Sequence, residues 1–238
     1  MDAPKTSWDV ARWLRSGGTA GDPDIMKLKD KHGNPFAFRQ VAEGHIFEDP
    51  DILKLSDKSG WTVAHIQAGR GWTTENPEIL RLHNGDGWTV AHIQAGRGWV
   101  TEDPEILKLA NIKNWTVAHE QAKYTDWTTE DPEILKLADR DGWTVAHVQA
   151  SRGWTTRDPE ILRLANKNDW TVAYVQAHHG WATDDLEILR LAGADGTTVA
   201  HVQASLGWTT EDPEILELAN YYGQTVAYVQ AWYSNANA

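Results

Sequence analysis

The chain has 238 residues, a formal net charge of −12 and no cysteine, with 14 tryptophans against three phenylalanines. Those numbers exclude a disulfide framework, a Cys-based zinc site and a thiol nucleophile, and they argue against direct nucleic-acid binding, which needs a basic stripe to displace phosphate counterions. No apolar run approaches the roughly 20 residues of a membrane span and Met1–Lys5 lacks a signal-peptide layout, so an intracellular, cytoplasmic protein is expected.

In chain order, residues 1–32 read as a divergent capping unit. Trp8, Val10, Ala11, Trp13 and Leu14 fit its first helix, and Pro23 opens its second. Residues 33–220 form the array proper, a motif of about 27 residues repeated along the chain. Trp61-Thr62-Val63-Ala64-His65 recurs from Trp88, Trp115, Trp143 and Trp170, with degenerate copies beginning at Asn34, Thr197 and Gln224. One extra residue enters between His119 and Trp127, and residues 221–238 are a C-terminal half-unit. The whole chain, 1–238, is expected to be a single repeat domain.

Each unit predicts two short helices. Thr62 is placed to cap the first, which Val63, Ala64, Ile66 and Ala68 make apolar nearly all round, as a helix buried between neighbours must be. It ends at Gly71, Gly98, Gly153, Gly180 or Gly207, with Asp126 in that place in the unit holding the insertion. The second opens with Asp-Pro-Glu, as in Asp103-Pro104-Glu105, where Asp caps, Pro takes the first helical position and Glu meets the positive end of the dipole. Ile79, Leu80 and Leu82 are expected inward, and Glu78 with Arg81 as an exposed pair on the same helix. Only His83 to Asp86 separate Leu82 from the next turn, whose residue is Gly87, Asn114 or Asp169, types that tolerate a left-handed backbone. Stacking such units predicts an all-α fold, a right- or left-handed superhelical solenoid of helix-turn-helix repeats.

Written out, Gly60-x-Thr62-Val63-Ala64-His65-x-Gln67-Ala68-x-x-Gly71-Trp72 resembles the first helix of an ankyrin repeat, Gly-x-Thr-Pro-Leu-His-x-Ala-Ala-x-x-Gly-His, over residues 33 to about 231. The resemblance implies a binding scaffold without catalytic residues, and a structural role for the histidine of each unit. The chain departs from the family at Val63, Ala64, Gln67 and Trp72, and the four-residue connection leaves no room for the family's β-hairpin finger.

His65, His92, His119, His147 and His201 come once per unit, roughly 9–10 Å apart, whereas zinc needs ligands converging at about 2 Å. Tyr174 and Tyr228 share their slot, and a structural role is expected. His178-His179 is the one other metal candidate, a weak one because adjacent helical residues diverge. Trp72, Trp99, Trp127, Trp154, Trp181 and Trp208 occur in nearly every unit and read as packing. Trp61, Trp88, Trp115, Trp143 and Trp170 are different: the outer units replace them with polar residues, so the slot is expected to be partly exposed and to form either a binding stripe or cladding over the turns. Gln67, Gln94, Gln121, Gln149 and their relatives on the apolar helix read as a hydrogen-bond ladder between units, or as a row that reads an extended peptide.

The favoured function is an intracellular protein–protein interaction scaffold for a protein or peptide partner. Its expected binding residues are the first tryptophan ladder, Arg70, Arg97 and Arg152 at helix ends, and Glu120, Lys123 and Tyr124 in the irregular unit. No catalytic residue, metal or cofactor is expected, because repetition spreads identical groups instead of gathering different ones. Alternatives are an acidic decoy that blocks a nucleic-acid-binding protein, and a designed or consensus scaffold with no natural partner. The aromatic C-terminal end, Tyr221, Tyr222, Tyr228, Trp232 and Tyr233, is either a cap or a homodimer interface.

Overall fold

Two helix-start signals per unit give two helices per unit. The computed structural model describes residues 23–236, so the capping helix expected at Trp8–Leu14 lies outside the described residues. Among the described residues the chain is all-helical, with sixteen helices and no strand. They pack as two compact units, one ending at Thr125 and the other beginning at Asp126. The first holds α1 (Pro23–Met26), α2 (Phe36–Ala42), α3 (Pro50–Leu53), α4 (Val63–Ala68), α5 (Pro77–Leu80), α6 (Val90–Ala95), α7 (Pro104–Leu107) and α8 (Val117–Tyr124). The second holds α9 (Pro132–Leu135), α10 (Val145–Ala150), α11 (Pro159–Leu162), α12 (Val172–His178), α13 (Leu186–Leu189), α14 (Val199–Ser205), α15 (Pro213–Leu216) and α16 (Val226–Ala236).

In each unit the longer helices stack in order, α2, α4, α6 and α8 in one and α10, α12, α14 and α16 in the other. The stack is close because its contact residues are small: Val63, Ala64 and Ala68 are fully buried, as are Val90, Ala91 and Ala95. The intervening helices are single turns. Asp103 caps one of them by accepting from the Glu105 N–H at 2.9 Å, and Ile106 and Leu107 bury its inner side.

The buried histidine sets each long helix. Thr62 Oγ1 accepts from the His65 N–H at 3.3 Å, while His65 Nδ1 accepts from the Thr62 N–H at 3.2 Å and from its hydroxyl at 2.7 Å. This is a capping box in which His takes the place of Glu or Gln at the third helical position. The other ring nitrogen, Nε2–H, donates to the Trp88 carbonyl of the next repeat at 3.0 Å. His92 repeats this to Trp115, His147 to Trp170 and His201 to Gln224. One nitrogen must accept and the other donate, so the ring is held as the neutral Nε2–H tautomer. Burial pushes His65, His147 and His201 below the ordinary histidine value, and His92 down to about 4.

Glutamine reaches the other way. Gln94 Oε1 accepts from the Thr74 N–H at 3.0 Å and its Nε2 donates to the Thr74 carbonyl at 3.2 Å. Gln67 grips Phe47 likewise, Gln121 grips Thr101 and Gln230 grips Thr210. Gln176 and Gln203 do the same to Thr156 and Thr183 with the amide oxygen turned to the N–H, at 2.8 Å each. Gln149 is the exception: it is 1% exposed and neither amide atom is bonded.

The connections are minimal hairpins, closed by one antiparallel bridge such as His83 with Thr89, and their tips are stitched together by bonds such as Gly85 N–H to the Ser59 carbonyl at 2.8 Å. Gly87 has φ +78, and a Cβ there would come 2.9 Å from Asn111 Cα in the next turn. Asn114 and Asp169 adopt the same left-handed conformation. Asp126 does not, because the inserted residue lets α8 run on to Tyr124 and leave through extended Thr125.

The exposed ion pairs differ from expectation. Glu78 does not meet Arg81 on its own helix. It meets Lys54 at 3.3 Å on the preceding one, and Lys136 with Glu160 at 3.0 Å repeats the arrangement. Arg163 with Glu187 and Arg190 with Glu214 follow the same rule. In α1 the expected arrangement does occur, with Lys27 meeting Asp24 of its own helix at 3.4 Å. At such exposure each pair is worth about 0–1 kcal/mol.

Two stability predictions follow from these contacts. An imidazole held neutral when folded and titrating near 6.5 when unfolded contributes stability that is complete above about pH 6.5 and lost as the pH falls toward about 4. Thermal melts of the chain are expected to fall steeply over that window, and His92→Tyr, which copies Tyr174, to flatten the fall. Gln94→Met is expected to cost about 1–3 kcal/mol in urea denaturation by orphaning the Thr74 backbone, whereas Gln149→Met should cost about nothing.

Candidate functional site

The stacking of α4, α6 and α8 brings residues 66, 93 and 120 to one face of the first unit. Ile66 and Ile93 are half-buried there, and together with Trp61, Arg70, Arg97 and Glu120 they line an open groove of about 400 Å³. Gly69 and Gly96 keep it open at the helix ends, since a Cβ on Gly96 would sit 3.1 Å from Glu120 Oε1. His65 and His92 also border it, with both ring nitrogens already committed to the caps and to the next repeat.

Glu120 is the chemical anomaly of this groove. Its slot holds isoleucine or valine at Ile66, Ile93, Val148, Val175, Val202 and Val229, and arginine at Arg39 in the first copy. The carboxyl is 9% exposed, and one oxygen accepts from the Trp115 indole N–H at 2.5 Å. Burial pushes its pKa up, opposed by that hydrogen bond and by Lys123. The other oxygen, Oε1, faces Gly96 and the groove.

Arg70 and Arg97 supply the opposite charge. Both are exposed on the rim, and neither makes an ion pair or side-chain hydrogen bond among the described residues. Their counterpart Arg152, in the second unit, reaches Asp126 at 3.6 Å.

Four expected binding residues, Trp61, Arg70, Arg97 and Glu120, therefore share one groove, and Trp115 joins through its bond to Glu120. Lys123 Nζ lies 5.6 Å from the Trp115 ring centroid and 5.0 Å from that of Tyr124. Trp88 lies outside the groove, and Trp143, Trp170 and Arg152 belong to the second unit.

The five tryptophans are not a row of exposed indoles. Trp61, Trp88 and Trp143 are half-buried edge-on against the histidine of their own repeat, each 5.4 Å between ring centroids. Trp115 tilts over His119 at 4.8 Å. Only Trp170 is exposed, at 41%, stacked on Tyr174. The histidine four residues on covers what composition alone would leave open. The second tryptophan set packs against the core, Trp72 and Trp99 in the first unit and Trp154, Trp181 and Trp208 in the second.

Among the described residues no group of histidine and carboxylate side chains is placed to hold a metal ion. His178 stands edge-on to Tyr174 at 4.8 Å. At the C-terminal end Tyr221, Tyr222, Tyr228 and Trp232 are 55–80% exposed.

Sequence reasoning missed the floor of the groove. Ile66 and Ile93 pass for ordinary core, and the signal was the larger Ile in the first unit against Val in the second, beside Gly-Arg pairs at both helix ends.

A buried carboxyl where neighbouring units keep an aliphatic residue opposes stability. Glu120→Ile is expected to raise unfolding free energy at pH 7 by on the order of 1 kcal/mol. Because burial raises the Glu120 pKa, its penalty is greatest at neutral pH, so the gain should narrow as the pH falls toward 5; urea denaturation at both pH values checks this. No protein-family model matches the chain, and no curated protein matches it.

Proposed function

We propose that the chain is a non-catalytic, ankyrin-like protein-binding module whose contact surface is the groove over α4, α6 and α8. The observation that carries this reading is Glu120, a carboxyl buried at an apolar groove in a slot that the adjacent repeats fill with Ile93 and Val148. The groove combines an isoleucine floor, an indole wall and charged side chains at its edge, the mixture that anchors polypeptide segments. We place the protein inside the cell, in keeping with its lack of cysteine; no helix among the described residues is long and apolar enough to cross a membrane.

The acidic-decoy reading draws on the −12 charge. Six of the 34 acids, Asp49, Asp103, Asp131, Asp158, Asp185 and Asp212, each cap a helix. That leaves the groove as the better-supported surface.

Selection of a displayed random-peptide library on the full-length chain tests the reading. Peptides enriched on the wild type are expected to be lost on Ile93→Lys, which fills the groove floor with a charge and leaves the stacking alanines untouched. Enrichment equal on both proteins, with the variant's circular-dichroism melt intact, would sink it.

A further inference from the structure

Resting on that reading, we infer that the groove takes an acidic, apolar polypeptide segment: bulky aliphatic side chains on the Ile66–Ile93 floor, carboxylates against Arg70 and Arg97, and a hydrogen-bond donor at Glu120 Oε1.

The argument is one of charge. In a chain with a net charge of −12, Arg70 and Arg97 are two cations on the same rim, and neither is neutralised by an acid of its own fold. Lys54, Lys136, Arg163 and Arg190 each meet a glutamate of the neighbouring repeat, and Arg152 meets Asp126. Arg81, Arg140 and Arg157 are exposed and unpaired among the described residues as well, but unlike Arg70 and Arg97 they do not line the groove. A guanidinium beside an apolar floor gains most from a carboxylate delivered by the molecule that covers that floor, because covering it excludes the water that screens the pair.

The charges also have an order. Arg70, Arg97 and Glu120 come from three successive repeats, so the groove runs positive, positive, negative along the stack. Helices packed side by side repeat at about 8–10 Å, which sets the step between the two arginines. A bound helix returns to the same face after seven residues, about 10.5 Å, and a polyproline segment after three, about 9 Å. A β-strand does so every two residues, about 7 Å, and fits less well. The negative end is a carboxyl with one oxygen held by Trp115 and the other open to the groove, an acceptor for an N–H or a basic side chain that closes the segment. Such a segment is bound in one direction only.

The same random-peptide library, selected on full-length wild type and on Arg70→Glu/Arg97→Glu, tests the assignment. Arg140→Glu/Arg157→Glu, on exposed arginines of the second unit, makes the same change in net charge away from the groove. The wild type is expected to enrich peptides with paired acids, three or seven apart, around an aliphatic residue. Synthetic copies of these should bind the groove reversal about tenfold or more weakly, bind the control reversal nearly as the wild type, and weaken with added salt. The reversed groove should instead enrich basic peptides. Peptides without excess acid, or equal loss in both reversals, overturn the ligand class; if Ile93→Lys still abolishes their binding, the groove stands as a binding site with a different ligand. No enrichment on the wild type overturns both.

Discussion

A neutral imidazole is the part on which the repeat depends. With Nδ1 it completes the N-terminal cap of its own helix, and with Nε2–H it holds the backbone of the next repeat, at distances that scarcely change from His65 to His201. Both tasks require one protonation state. A cationic ring would have no acceptor for the Thr62 N–H and would carry a charge into a site that is 1% exposed. The indole lying edge-on over the same ring shields it from one side, which accounts for the pairing of Trp and His four residues apart through the middle of the chain. Where tyrosine replaces the histidine the box is simpler: at Tyr174 only the bond from the Tyr174 N–H to the Thr171 hydroxyl oxygen remains.

Much of this was legible in the sequence because every device recurs. A single Asp-Pro-Glu is a weak sign of a helix start; eight such starts in register, with Pro in seven and Leu186 in the eighth, predict the α-turns that the structure has. The Gly, Asn or Asp before each first tryptophan foretold left-handed turns, and Asn114 and Asp169 bear that out. What repetition hides is the partner of each group. Glu78 and Arg81 are spaced as a helical pair, as are Asp24 and Lys27, which do pair at 3.4 Å, but Glu78 forms its ion pair across repeats instead. The tryptophans were read by their polar substitutes as partly exposed, which they are, but the histidine face that covers each of the first four is not revealed by spacing alone.

The groove was the least legible feature. Its residues lie in three repeats, at positions 61 to 120, and each looks like a minor variant of the consensus. Trp61, Arg70, Arg97 and Glu120 were expected to bind, Glu120 as a break in pattern, but nothing in their spacing joined them in one groove with Ile66 and Ile93. The structure adds why the break is tolerated: Gly96 leaves space for one carboxyl oxygen and Trp115 supplies a donor to the other. A site of this kind arises in a regular array through two or three substitutions without altering the stack, since Val117, Ala118 and Ala122 on the same helix stay fully packed.

The histidine and glutamine contacts point in opposite directions along the chain. Each middle repeat donates forward through its imidazole and reaches back about twenty residues through its amide, so opening one repeat breaks a tie on both sides. Such an array resists local fraying and exchanges its backbone protons mainly through larger, concerted openings. Gln149 interrupts this pattern. With its amide unbonded, the first repeat of the second unit lacks one of its two ties, and the slow amide protons of that unit should begin to exchange there, well ahead of those in α12 and α14.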